Sequence, residues 1–374
     1  MTDLKYKIFP FYFPQFYSTQ ENDEWWGKGF TDWELVKAAK PIHPTQNQPR
    51  VPDAGYYDQS LPDTILKQSQ LAKQYGISGF NFYHYWFDGK VLLDCPIQNL
   101  LKNKAIDIEY FITWANETWT RQWIGRPNDI LIKQEHNPDE KVWNAHYEYL
   151  KPFFKDERYY KINNAPVFCI YRAELIRELS AWIKFMDRKA RQDGFGGIHF
   201  IALRAYDIAE PERVYQHFSK IVNFQPRYSI NRHLKNNSTV IKFLEKTLRS
   251  SPEWMQLKIA TLLGNRKYKK FNYLDFIDSM KKDPIYWKGK PVYQAVFPDW
   301  DNAPRYNERA TFFESISHEN FEKALRVIKG QVDKYDDKLI FVNAWNEWSE
   351  GAYLEPDINS GCKYLETINK VFSK

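Results

Sequence analysis

Eight short runs rich in Val, Ile, Phe and Tyr recur along this chain of 374 residues. They cover Lys7 to Phe13, Gly79 to Tyr85, Glu109 to Ala115, Pro166 to Tyr171, Ile198 to Leu203, Lys220 to Phe224, Pro291 to Phe297 and Lys338 to Ala344. Each has the length and composition of a strand. Between most of them lie segments with helical spacing. Ser60 to Tyr75 carries Leu61, Ile65, Leu66 and Leu71; Glu140 to Phe154, Glu174 to Gln192 and Asn320 to Tyr335 follow the same pattern. Strands that alternate with helices build parallel βαβ units. Eight such units predict an α/β fold, a (β/α)8 TIM barrel forming one catalytic domain over residues 1–374 with long loop insertions. The competing architecture is an open doubly wound sheet, but no Gly-x-Gly-x-x-Gly turn follows the first strand.

Two insertions interrupt the alternation. Residues 15–57 form a long loop with Trp25, Trp26 and Trp33, and a loop of that length in a compact domain is usually functional. Residues 226–289 separate the sixth and seventh strands. Within them, residues 226–270 hold eleven Lys and Arg against two Glu, a local +9, whereas the whole chain carries +6. The rest is therefore −3, and the basic surplus is confined to one segment.

In a barrel, the residues just past the strands converge on one mouth, where active sites lie. Here they include His84, Tyr85 and Trp86; Trp114, Asn116, Glu117 and Trp119; Tyr206; Asp299 and Asp301; and Trp345, Asn346, Glu347 and Glu350. Glu347 and Glu350 stand three residues apart among tryptophans. Glycosidic-bond chemistry needs one carboxyl to handle the proton of the leaving oxygen and another to remove a proton or stabilise positive charge. Indole faces suit sugar rings. The bland alternative is a pair of solvated glutamates. Glu117 is a third candidate carboxylate, for a sugar hydroxyl or for tuning a neighbour, against a plain ion pair with Arg121. His84 fits a hydroxyl contact or a satisfied structural histidine equally. Asp299 and Asp301 fit sugar binding or turn capping, and Glu355 fits an additional site role or a loop anchor.

Composition narrows the class. Charged residues at 27% and hydrophobic residues at 43% describe a soluble globular chain. Aromatics at 17% fit either a surplus of which some rings line a cleft or a core that is itself aromatic-rich. Cys95, Cys169 and Cys362 suggest neither a disulfide framework nor a zinc site. No metal-binding pattern stands out beyond the weak Asp299-Trp300-Asp301, and no cofactor is expected. Neither a basic leader followed by an apolar stretch nor a run of about 18 apolar residues is present. The expected location is cytoplasmic, and the basic residues 226–270 fit either peripheral contact with an anionic membrane or a solvated lysine-rich excursion. Nothing matches a nucleic-acid reader motif.

Several stretches together resemble the WbsX-type family of bacterial surface-polysaccharide loci, itself similar to glycoside hydrolase family 99. They are Phe11 to Phe16, Trp25 to Trp33, Gly79 to Lys90, Trp114 to Thr120, Ile130 to Glu135, Asp299 to Arg305 and Trp345 to Gly351. The resemblance spans nearly the whole chain. It implies a (β/α)8 barrel and retaining chemistry on α-linked, often manno-configured sugars without a metal. It also implies Glu347 as base and Glu350 as acid. The base would take the proton of the sugar's own 2-hydroxyl, and a 1,2-anhydro sugar would form and be opened by an acceptor. Trp348-Ser349 stands where the hydrolases more often have Trp-His.

Three functions follow as expectations. The first is glycosyl transfer in surface-polysaccharide (O-antigen or capsule) assembly, on an oligosaccharide or lipid-linked glycan with a nucleotide-sugar donor. The second is an endo-acting α-glycosidase of the family 99 kind, and the third a non-catalytic glycan-binding protein.

Overall fold

Parallel pairing closes the eight runs into a ring. The computed structural model describes residues 5–235, 247–262 and 268–373. The strands are β1 (Lys7–Tyr12), β2 (Gly79–Phe87), β3 (Glu109–Trp114), β4 (Ala165–Ile170), β5 (His199–Arg204), β6 (Lys220–Asn223), β7 (Lys290–Val296) and β8 (Leu339–Val342). Each pairs in parallel with the next, and β8 returns to β1 with Lys7 opposite Leu339. Closure leaves no exposed edge in the ring. The outer layer is α1 (Pro62–Gln74), α2 (Cys95–Lys102), α3 (Glu140–Lys155), α4 (Leu179–Gln192), α5 (Pro211–Tyr215), α6 (Tyr273–Met280), α7 (His318–Val332) and α8 (Lys363–Phe372). This is a (β/α)8 TIM barrel.

The strand period of two divides the aromatic load between lumen and outer layer. Phe9, Phe11, Phe111 and Phe341 meet inside, with Phe9 and Phe111 centroids 4.8 Å apart. On the other face Tyr12 reaches α1, donating its hydroxyl to Gln68 at 2.6 Å. Local signals set the helix starts. Asp139, Asn272 and Ser317 cap α3, α6 and α7 by accepting from backbone N–H groups. Proline stands in the first turn of α1, α2 and α5, where its missing N–H costs nothing. Helix α4 buries Leu179, Trp182, Ile183, Met186 and Ala190 along one stripe.

The strand ends lie within two residues of expectation. The helix expected from Glu174 starts at Leu179, because Ala173–Leu175 forms a separate 3-10 turn and Ile176 is extended. The first insertion holds two seven-residue helices, Gln20–Trp26 and Asp32–Ala38, too short to show a period. In the second, Glu253–Leu262 is helical and packs on the hairpin made by Trp119–Arg121 and Arg126–Ile132. Its basic residues Lys242, Lys246, Arg266 and Lys267 lie outside the described residues. Of the others, Arg232 pairs with Asp207 at 2.6 Å and Lys270 with Glu314 at 2.9 Å. Among the described residues, no helix is long and apolar enough to cross a membrane.

Candidate active site

The C-terminal ends of the strands surround a cleft. Phe13 after β1, Tyr83 and Tyr85 of β2, Glu117 and Trp119 after β3, Tyr171 after β4, Arg227 after β6, Arg305 and Tyr306 after β7, and Glu347 and Glu350 after β8 all line it. The first insertion adds Asn22, Trp25 and Trp26 to the lining.

Three carboxylates converge there on one guanidinium. Arg305 Nη2 lies 2.8 Å from Glu347 Oε1 and 2.8 Å from Asp32 Oδ2, and its Nη1 lies 2.9 Å from Glu350 Oε1. All four side chains are nearly excluded from solvent. Removing this much charge from water is costly unless the charges compensate one another. Ser349 donates to Asp32 Oδ2 at 2.5 Å, so the residue between the glutamates ties the first insertion to the motif. Burial pushes the Glu347 carboxyl up to about 8. Arg305 opposes the shift, and Glu350 and Asp32 add to it.

Backbone chemistry fixes the motif in place. Asn346 accepts from Phe13 N–H at 2.7 Å and donates to Phe13 C=O at 2.9 Å, joining the ends of β8 and β1. Gly351 has φ +68°, and a Cβ there would lie 2.8 Å from the Asp301 backbone nitrogen. Only glycine combines that φ with that approach. The close contact carries the 2.7 Å hydrogen bond from Asp301 N–H to Glu350 C=O.

A family model described as "Glycosyltransferase WbsX" matches residues 8–368. The chain belongs to the WbsX glycosyltransferase family. Two strains of Xanthomonas campestris pv. campestris have a relative called "Uncharacterized protein WxcX", 31% identical over 368 residues. The match takes in 97% of this chain and 49% of the relative, so the chain spans about half the length of the curated relatives it matches. Among solved structures, a "glycoside hydrolase-like protein" superposes with TM-score 0.59 at 13% identity, covering 100% of this chain and 95% of that one. The GH99 endo-alpha-mannosidase from Bacteroides thetaiotaomicron gives TM-score 0.54 at 13% identity, covering 98% and 96%. These likenesses show the shared barrel.

In this WbsX chain, the candidate residues from the sequence divide into two groups. Glu347, Glu350, Tyr85, Glu117 and Trp119 line the cleft. His84, Trp86 and Trp114 do not, because they sit on the outward phase of β2 and β3, where His84 is register partner of Trp114. His84 Nε2 meets His146 Nε2 of α3 at 3.1 Å, and Trp86 stacks on His146 at 4.7 Å. Burial lowers His84 to about 3, so it is neutral. Asn116 is fully buried, donating to Arg172 C=O and accepting from Arg172 N–H. Glu117 pairs with Arg172 at 2.5 Å; Arg121, the partner considered from sequence, instead donates to Trp25 C=O.

The indoles beside the glutamates do not face the cleft. Trp345 packs on Phe80, and Trp348 stacks on Tyr353 at 3.7 Å; both are fully buried. Asp299 pairs with Arg50 at 2.7 Å, and Asp301 accepts from Gln46 and Gln48, so this Asp-x-Asp anchors the first insertion. Glu355 is buried and accepts from Tyr57, Trp348 and Gln68, and burial raises it to about 7. Tyr206 stands just behind the cleft wall, between Arg172 at 4.8 Å and Arg249 at 4.0 Å.

Asp32, Arg305, Arg227, Tyr83 and Tyr306 are cleft or network residues absent from the sequence-based candidates. A usable signal existed for two of them. Asp32 and Arg305 lie inside stretches that carry the family resemblance, and a pair of buried glutamates requires a cation nearby.

Proposed function

We propose that the chain is a retaining glycosyltransferase of bacterial surface-polysaccharide assembly, with Glu347 as base and Glu350 as acid. The observation that carries this reading is the pair of carboxyls held by Arg305 on the wall of an aromatic cleft at the barrel mouth. Membership of a family described as glycosyltransferase supports transfer over hydrolysis.

In the first step Glu347 takes the proton of the donor sugar's 2-hydroxyl. That oxygen attacks the anomeric carbon, the bond to the leaving oxygen breaks, and Glu350 protonates the departing oxygen. In the second step an acceptor hydroxyl opens the 1,2-anhydro ring, giving its proton to Glu350, while Glu347 returns its proton to the 2-oxygen. Two inversions at the anomeric carbon retain its configuration. Arg305 holds both carboxyls in place and favours the ionised form of Glu347 that the first step needs.

The endo-glycosidase reading is favoured by one observation, the family 99 barrel likeness, and differs only in water replacing the acceptor. The test is mass spectrometry of α-manno-oligosaccharides incubated with the protein in ¹⁸O water, beside nucleotide-sugar donors with lipid-linked acceptors. Glu350→Gln is the control. Label in a new reducing end, present only with the unsubstituted protein, overturns transfer in favour of hydrolysis. An elongated acceptor without such label upholds it.

A further inference from the structure

The two cations of the cleft are not equivalent. Arg305 meets three carboxylates within 2.9 Å, whereas Arg227 has one, Glu350 Oε1, at 3.7 Å, beyond hydrogen-bond range. No hydrogen bond from the Arg227 side chain to another described residue is present, although the side chain is only 35% exposed. A guanidinium has five N–H donors and no acceptor, and a half-buried one needs an anionic partner. Tyr171 and Tyr306 line the cleft on the same side, and their hydroxyls make no hydrogen bond to other described residues. Burial raises both phenols, so they keep their protons and can donate.

Tyr206 reports the field behind this wall. Burial opposes its ionisation, yet Arg249, Arg227 and Arg172 outweigh burial and lower its pKa. Tyr83 and Tyr85 on the β2 side are raised by burial and then by Glu347. Arg249, Arg227 and Arg172 thus gather positive charge on the β5 and β6 side of the cleft.

We infer that Tyr171, Arg227 and Tyr306 form a subsite for an anionic group, phosphoryl or carboxylate, carried by the glycan substrate beside the reacting bond. The short gap from Arg227 to Glu350 places the group next to the carboxyl assigned as acid. This inference rests on the cleft being the glycan site, and it names the substrate as acidic on that side. The guanidinium can only donate and both phenols can donate, which suits an acceptor-only group, and a neutral hydroxyl would leave the guanidinium with no counter-charge closer than Glu350 at 3.7 Å.

The test is calorimetric titration of the full chain and of Arg227→Gln with inorganic pyrophosphate, methyl glucuronide and neutral methyl α-mannoside. Pyrophosphate and glucuronide are the two arms that separate a phosphoryl from a carboxylate. Expected is binding of one of the anions that weakens about tenfold or more in Arg227→Gln, a larger factor than any change in mannoside affinity. Thermal melting checks the fold. If Arg227→Gln melts early, Arg227→Lys decides, keeping the charge but losing the fork, with weaker anion binding expected. Equal anion affinity in the folded variant, or no binding of either anion to the unsubstituted protein, overturns the subsite. Anion binding that depends on Arg227 without any mannoside binding would overturn the neutral-sugar part of the functional reading and leave the subsite standing.

Discussion

Arg305 Nη2 lies 2.8 Å from Glu347 Oε1, and the same guanidinium reaches Glu350 and Asp32. It is the counter-charge that lets three carboxylates share a buried site. Replacing it with Met keeps the length and removes the charge. Breaking a buried ion network from one side costs about 3–5 kcal/mol. Arg305→Met is therefore expected to lower the urea midpoint strongly and to abolish turnover. Arg305→Lys should recover part of the stability and little turnover, since an ammonium cannot bridge two carboxyls in one plane. Wild-type turnover in a folded Arg305→Met protein would remove Arg305 from the mechanism.

Glu347 and Glu350 are expected to separate stability from function. Glu347→Gln and Glu350→Gln should each reduce turnover by about 100-fold or more. Glu347 also carries a stability cost. Its folded pKa of about 8 exceeds the ordinary 4.5, so the native state binds the proton more tightly than the unfolded chain. Stability from this group is full below pH 4.5 and is lost as pH rises toward 8. Glu347→Gln should thus melt higher than the unsubstituted protein at pH 8 and show a smaller gain at pH 5. A lower melting temperature at pH 8 would contradict the raised carboxyl.

The same shift sets the rate profile. A base must be ionised, and burial keeps Glu347 protonated at neutral pH. The expected kcat/KM therefore climbs with pH through about 8. If Glu347 were the acid instead, the rate would fall across that range. A profile flat from pH 6 to 9 would exclude both roles for a group titrating there.

Gly351 links the Glu347–Glu350 motif to the β7 loop through a contact that no side chain permits. Alanine there meets both the φ of +68° and the Asp301 nitrogen at 2.8 Å. Such strain costs about 1–3 kcal/mol. Gly351→Ala is expected to destabilise the fold and to lower kcat more than it raises KM, because Glu350 C=O would lose its bond from Asp301. An unchanged kcat would show that the motif tolerates the displacement.

The barrel was legible because each strand run announces itself by composition, and closure follows from having eight. The pair of cleft carboxyls was legible because Glu347 and Glu350 sit in one motif at a strand end. The cation between them was not, since Arg305 comes from another loop and Asp32 lies more than 300 residues earlier in the chain. Orientation was the other hidden variable. Tyr85 and His84 are adjacent, and a strand sends them to opposite faces. Trp345 and Trp348 looked like sugar platforms beside the glutamates, yet both fill the core beneath them. Local sequence marks the mouth of a barrel but not which side chains turn into it.

The outward position of His84 yields the last prediction. His84 and His146 meet at 3.1 Å between β2 and α3, and burial lowers both below the ordinary 6.5. They are neutral in the native state and take up protons once unfolded. Their contribution is present above pH 6.5 and is lost as pH falls toward about 3. Glu347 and Glu355 push the other way as pH rises. Melting temperature should therefore peak in mildly acidic to neutral solution. His84→Gln removes one of the two titrations and should flatten the acid limb, with a stability cost of about 1–3 kcal/mol from the partner left behind. Because its side chain never reaches the cleft, kcat and KM on whichever glycan the labelling experiment shows to react should stay within about twofold of the unsubstituted protein. A large loss of kcat in folded His84→Gln would mean that the β2 face turned toward α3 also governs the chemistry.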